Sequence, residues 1–166
     1  WSSAVCSSDL FNTVGPRQSG QYGMVVPRFV SQALRGDDIT VYGDGEQSRS
    51  FCHVLDVVPA LLALAQCRTA YGRVVNIGNS EEVTIMQLAQ RVLAVTGSDS
   101  RIVTIPYEKA YVEGFEDMRR RVPDTALAAS LIAFKPKYCL DDILVTVREH
   151  MLGRSAHVAA VKALPT

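Results

Sequence analysis

The spacing of apolar positions changes repeatedly along this chain, and each change predicts an element. From Val25 the residues Val26, Phe29, Val30, Ala33 and Leu34 recur at helical spacing, and Gly36 ends the run. Residues 39–42 read as a strand, since Thr40, Val41 and Tyr42 suit a pleated surface. Gly43, Asp44 and Gly45 mark a turn, and a short extended piece follows at 49–54. Asp56 is the expected N-cap of the next helix. That helix is apolar all round (Val57, Val58, Ala60, Leu61, Leu62, Leu64) and is expected to be buried. Pro59 falls in its first turn, where a missing amide costs little. Residues 73–77 form a strand. Thr84 and Gln87 make a capping box for an amphipathic helix on Ile85, Leu88, Ala89, Val92 and Leu93, closed by Gly97. Another strand covers 101–105. Asp124 is placed to cap a short helix through Leu131, and Asp141 and Asp142 fall in the first turn of a last helix.

Short strands thus alternate with four or five helices, and no run gives a long parallel sheet. The class is α/β, a small mixed lobe. Residues 1–10 are Ser-rich and aperiodic, and the reading takes them as a poorly ordered end outside the lobe. The lobe itself covers 11–152, and 153–166 form a tail with no structure assigned.

Composition narrows the partners. Of 166 residues, 48% are hydrophobic and 20% charged, which is ordinary for a globular domain with a real core. Formal net charge is zero, which gives no electrostatic case for nucleic acid or an anionic membrane. No apolar run reaches transmembrane length, and the start does not read as a signal peptide. Cys6, Cys52, Cys67 and Cys139 fit neither a zinc pattern nor a CxxC pair, so they read as reduced thiols of a cytoplasmic protein. His53, His150 and His157 are scattered, and no metal site is expected.

The candidate chemistry centres on TVYGDGEQSRSF, residues 40–51. An arginine held beside a Gly-rich turn presents a planar fork to phosphate, and a nearby tyrosine offers a flat ring. The ordinary alternative is a solvated surface arginine. Three other strings accompany it: FNTVGPR at 11–17, YGMVVPRF at 22–29 and VNIGNSEE at 75–82, with GFEDMRRRVPD following at 114–124. In this order and separation they resemble the C-terminal, substrate-binding half of extended short-chain dehydrogenases/reductases. These are the NAD-dependent nucleotide-sugar epimerases, dehydratases and UDP-glucuronate decarboxylases. The resemblance covers 11–150.

That resemblance implies the sites. Asn12 would contact the substrate diphosphate or sugar; an Asx turn is the structural alternative. Thr13 and Arg17 lie where the family's chain passes the nicotinamide end of NAD. Val25 would open a substrate-covering helix, its backbone near the diphosphate. Thr40 and Tyr42 would flank the nucleobase, and Arg49 would bind the diphosphate. Asn76 would lie near the base or ribose. Arg121 would be a second diphosphate arginine, with Arg119 and Arg120 as close competitors. The implied partner is a nucleotide-diphosphate sugar and the implied reaction passes through a 4-keto sugar, in an enzyme that is a homodimer when intact. The strings look somewhat more like decarboxylases and 4-epimerases than dehydratases.

No Gly-rich dinucleotide turn and no Tyr-x-x-x-Lys pair occurs in the 166 residues. The expectation is therefore a fragment whose Rossmann core, and with it most of the NAD contacts and the catalytic base, is largely missing. Such a chain is expected to be inactive alone. The alternatives are a UDP-glucuronate decarboxylase specifically, or a non-catalytic nucleotide-binding or interaction module.

Overall fold

The computed structural model describes residues 7–18, 24–106 and 118–162. The first two residues of YGMVVPRF, the GFED of 114–117 and the tyrosine spacings at Tyr22 and Tyr107 lie outside the described residues.

Parallel pairs make up most of the sheet structure. Strand β1 (Ser7–Leu10) pairs with β6 (Val74–Ile77), β2 (Thr13–Val14) with β5 (Cys52–His53), and β3 (Ile39–Tyr42) with β8 (Ile102–Ile105). A three-stranded sheet has β4 (Ser48–Ser50) in its middle. There β7 (Glu82–Thr84) runs antiparallel on one side and β9 (Arg120–Arg121) parallel on the other. The helices are α1 (Val25–Arg35), α2 (Val54–Gln66), α3 (Ile85–Thr96), α4 (Ala126–Ile132) and α5 (Leu140–Lys162).

Two apolar cores form. In the first, Phe29 and Val30 of α1, Val41 of β3, Leu88 and Val92 of α3, and Ile143 and Leu144 of α5 interlock. In the second, Val57, Ala60 and Leu64 of α2 pack on Val75 and Ile77 of β6 and Ala128 of α4. The boundary signals act as their chemistry dictates. Gly36 and Gly97 take left-handed φ of 73° and 65° at the C-caps of α1 and α3. Thr84 and Gln87 form the reciprocal capping box of α3.

Four local expectations need correction. Ser7–Leu10, expected outside the lobe, is strand β1. Its pairing with β6 rests on backbone hydrogen bonds, to which side-chain periodicity is blind. The N-cap of α2 is His53, whose ring nitrogen Nδ1 accepts from the Leu55 amide at 3.0 Å. Asp56 instead lies inside the first turn and accepts the amides of Lys137 and Tyr138 at 3.1 and 3.2 Å. Helix α2 is buried on one side only. Leu55, Val58 and Leu62 are 57%, 48% and 62% exposed, so all-round apolarity here does not mean all-round burial among the described residues. Finally, α5 continues through Lys162, beyond the point where the reading assigned no structure.

Candidate functional site

The turn at 43–45 organises the site. Gly43 and Gly45 adopt φ of 72° and 77°, which an L side chain resists. Between them the Asp44 carboxylate accepts the Glu46 amide at 3.0 Å. The chain then runs against the start of α3, where Gly45 and Gln47 carbonyls accept the Met86 and Ile85 amides, both at 3.0 Å. The turn is thereby locked, and β4 leaves it in a fixed direction.

On β4, Arg49 is in register with Arg121 of β9. Neighbouring residues in register project to the same face, with strands about 4.8 Å apart. The two arginines therefore stand side by side. Arg49 is buried, 9% exposed, and its NH1 donates to the Ser48 carbonyl at 2.7 Å.

Strand alternation and ion pairing sort the three consecutive arginines. Arg119 pairs with Asp44 at 2.6 Å. Arg120 forks onto Glu82 through Nε at 3.0 Å and NH2 at 2.9 Å, and the Ser48 hydroxyl donates to the same carboxylate at 2.5 Å. These donors hold both carboxyl groups below their usual pKa: Asp44 chiefly through its hydrogen bond from Arg119, Glu82 chiefly through that from Arg120. Arg121 faces the other way. It meets no carboxylate among the described residues and lies 5.5 Å from the Phe11 ring centroid.

Asn12 follows Phe11 in a left-handed conformation, φ 39°. Its amide nitrogen donates to the Ser50 carbonyl at 2.8 Å, and its own carbonyl accepts the Cys52 amide at 3.2 Å. The Asn12 side chain thus anchors the FNTVGPR loop to β4. Asn76 is similarly engaged, donating to the Asp124 carbonyl at 3.1 Å ahead of α4. It does not donate into the arginine face.

Thr40 and Tyr42 share one face of β3, alternating with buried Ile39 and Val41. Arg28 of α1 donates to the Thr40 carbonyl at 3.1 Å, and its guanidinium lies 4.3 Å from the Tyr42 ring centroid. Gln32, one helical turn on, donates to the Thr40 hydroxyl at 2.9 Å. Val25 is the first residue of α1, and Met24 before it supplies no side-chain cap.

A cavity of about 380 Å3 opens beside β2, lined by residues 13–18 and Val54. Two side-chain oxygens there, Thr13 Oγ1 and Gln18 Oε1, are buried with no hydrogen-bond partner. Arg17 lines the same cavity and is exposed.

The comparisons with known proteins point one way. The family model for the NAD-dependent epimerase/dehydratase family matches residues 2–78. UDP-N-acetyl-alpha-D-glucosaminuronate decarboxylase of Bacillus cytotoxicus is 43% identical over 127 residues, 76% of this chain and 39% of that protein. The chain belongs to the NAD-dependent epimerase/dehydratase family of extended short-chain dehydrogenases/reductases. UDP-glucuronic acid decarboxylase 1 of Xenopus tropicalis is 35% identical over 156 residues, 94% of this chain and 35% of that protein. Among solved structures, the UDP-glucose 4-epimerase of Thermotoga maritima with UDP-glucose superposes with a TM-score of 0.78 at 31% identity. That match covers 89% of this chain and 46% of the epimerase. The chain spans less than half the length of each of these relatives.

Within this family member, the arginine face, the Thr40–Tyr42 face and the loop cavity are three distinct features. Asn12 ties the loop to β4 and so joins the first to the third. The sequence reading missed Arg28, Gln32 and Gln18. For Arg28 and Gln32 a signal existed. Polar residues four apart on a helix share a face, and these two interrupt the apolar positions of α1. Gln18 carried no such signal. No helix of the described residues is long and apolar enough to cross a membrane, and no group of three or more His, Cys, Asp or Glu among them is placed to hold a metal.

Proposed function

We propose that this chain supplies the nucleotide-sugar-binding lobe of an NAD-dependent enzyme acting on a UDP-sugar through a 4-keto intermediate. The observation that carries this reading is the register pairing of Arg49 with Arg121. Two guanidinium groups on one face suit a diphosphate, because a guanidinium forms charge-assisted, forked hydrogen bonds to phosphate oxygens. Arg121 is the arginine of its run that carboxylates leave uncommitted among the described residues. Tyr42 and Thr40 would meet the base, and the first turn of α1 at Val25 would lie over the diphosphate. Asn12 would act by fixing the loop, and Asn76 by fixing the approach to α4.

The cavity beside β2 fits one end of NAD. Its unpartnered Thr13 and Gln18 oxygens would accept hydrogen bonds from a carboxamide, and Arg17 adds a cation at the edge. When bound there, NAD would supply the hydride acceptor for C4 of the sugar. None of the tyrosines has lysine four residues on, so no Tyr-x-x-x-Lys pair of these 166 residues would take the C4 hydroxyl proton. Decarboxylation is the favoured outcome among the family's reactions, since the relatives 43% and 35% identical to the chain are decarboxylases of UDP-uronic acids.

The test is turnover. The intact polypeptide, given NAD and a panel of UDP-sugars, is expected to release CO2 from a UDP-uronic acid. The 166-residue chain alone is expected to give no product. Product from the chain alone would overturn the division of labour. Intact polypeptide that binds no UDP-sugar would overturn the whole reading.

A further inference from the structure

Phe11 is half-buried and belongs to neither apolar core. Its placement is nevertheless strict. Its amide donates to the Ile77 carbonyl at 3.0 Å, which carries the β1–β6 pairing one residue past the end of β1. The next residue, Asn12, is held to β4 by its side chain. Gly78 has no side chain to keep its neighbours off, and a Cβ there would lie 3.0 Å from Phe11 Cβ and 2.6 Å from Pro123 Cγ. The segment bearing Phe11 and the segment bearing Arg121, two residues before Pro123, therefore close on the same glycine. The outcome is a guanidinium set over an aromatic ring, with Arg121 Cζ 5.5 Å from the Phe11 centroid.

The three consecutive arginines are thus held in two different ways. Carboxylates hold Arg119 and Arg120, and each such bond uses N–H donors and offsets the charge. Arg121 meets no carboxylate among the described residues. A ring face attracts a cation electrostatically and takes none of the five N–H donors of a guanidinium. An arginine held in this way keeps its charge and its fork for an anion from elsewhere. We propose that Phe11 is a positioning residue for Arg121. It holds the guanidinium on the Arg49 face with its donors unspent, so that a diphosphate meets an arginine already in place. The inference rests on the reading of the Arg49–Arg121 pair as a diphosphate site. In that site Phe11 acts on the ligand only through Arg121.

The probes are UDP and inorganic pyrophosphate, titrated calorimetrically into the intact polypeptide and its variants. Phe11→Leu keeps an apolar side chain and removes the ring. It is expected to weaken both probes about two- to fivefold, the scale of an exposed cation–π contact. Phe11→Tyr keeps the ring face and should bind both probes as wild type does. In an Arg121→Ala background, Phe11→Leu should cost neither probe anything further, because the guanidinium it positions is gone. A packing role alone would give the same loss in both backgrounds, and that outcome overturns the proposal. So would unchanged affinity in Phe11→Leu, or Phe11→Tyr binding as weakly as Phe11→Leu. If Phe11→Leu does not fold, Phe11→Met carries the same comparison. Affinity for both probes that survives Arg121→Ala would instead overturn the diphosphate reading itself. Arg121→Ala that weakens both probes, with Phe11→Leu that weakens neither, would sink this inference alone.

Discussion

Arg49 is the single side chain on which the proposed diphosphate site depends most. Arg49→Ala would leave phosphate oxygens without a forked partner. The expected loss in UDP affinity is about 2–4 kcal/mol, the range for removing one member of a buried charge pair. Arg49→Lys should restore only part, because an ammonium is a point charge. Calorimetric titration of UDP into the intact polypeptide decides it, and equal affinities would mean that Arg49 serves packing alone. The neighbouring arginines give an internal control. Arg121→Ala should weaken UDP, whereas Arg120→Ala should leave it unchanged, since Arg120 is committed to Glu82 on the opposite face. The reverse ranking would show that the strand alternation has been assigned to the wrong face.

At the scale of elements, the junctions hold the site together. Gly78 sits where β6 ends, and a Cβ there would lie 2.6 Å from Pro123 Cγ and 3.0 Å from Phe11 Cβ. Proline cannot swing aside, so Gly78→Ala must push apart the segments carrying Arg121 and Asn12. It is expected to cost about 1–3 kcal/mol in urea unfolding, as overpacking does, and to weaken UDP binding as well. Full stability with wild-type affinity would mean that this contact is dispensable. The start of α2 carries a pH dependence. Thr146 donates its hydroxyl to the Ile143 carbonyl, so at 3.2 Å it accepts from Nε2–H of His53, which leaves Nδ1 free of a proton to cap Leu55. His53 is fully buried, and desolvation lowers its pKa from 6.5, partly offset by Asp56 and Asp142. A depressed folded pKa means that the unfolded chain binds the proton more tightly, so stability should fall as pH drops below 6.5. Urea midpoints at pH 7.5 and 5.5 test this, with His53→Asn expected to lose most of the difference. A midpoint that rises on acidification would contradict the assigned tautomer.

For the whole molecule, the telling surface is α2. Leu55, Val58 and Leu62 lie on one helical stripe and are about half exposed or more, beside a parallel pair, β1 and β6, that has two strands among the described residues. Parallel sheets are ordinarily covered on both faces, and contiguous apolar patches promote association. The 166-residue chain alone is expected to self-associate in sedimentation velocity, and Val58→Lys with Leu62→Glu to reduce that association. A monodisperse wild-type monomer would count against it. From sequence alone, the periods, caps and left-handed glycines determined α1, α3, β3, β6 and the turn at 43–45, because those signals are local and each residue carries its own preference. The five motif strings pointed to the family, and TVYGDGEQSRSF nominated Arg49. Only the tertiary structure decided what depends on backbone pairing or on distant partners. It made Ser7–Leu10 a strand, moved the α2 cap from Asp56 to His53, and paired Arg119 and Arg120 with carboxylates while Arg121 meets none among the described residues. It also turned Asn12 and Asn76 inward to carbonyls and set Arg28 against Tyr42. Those outcomes depend on which groups meet across the fold, and no single stretch of chain contains that information.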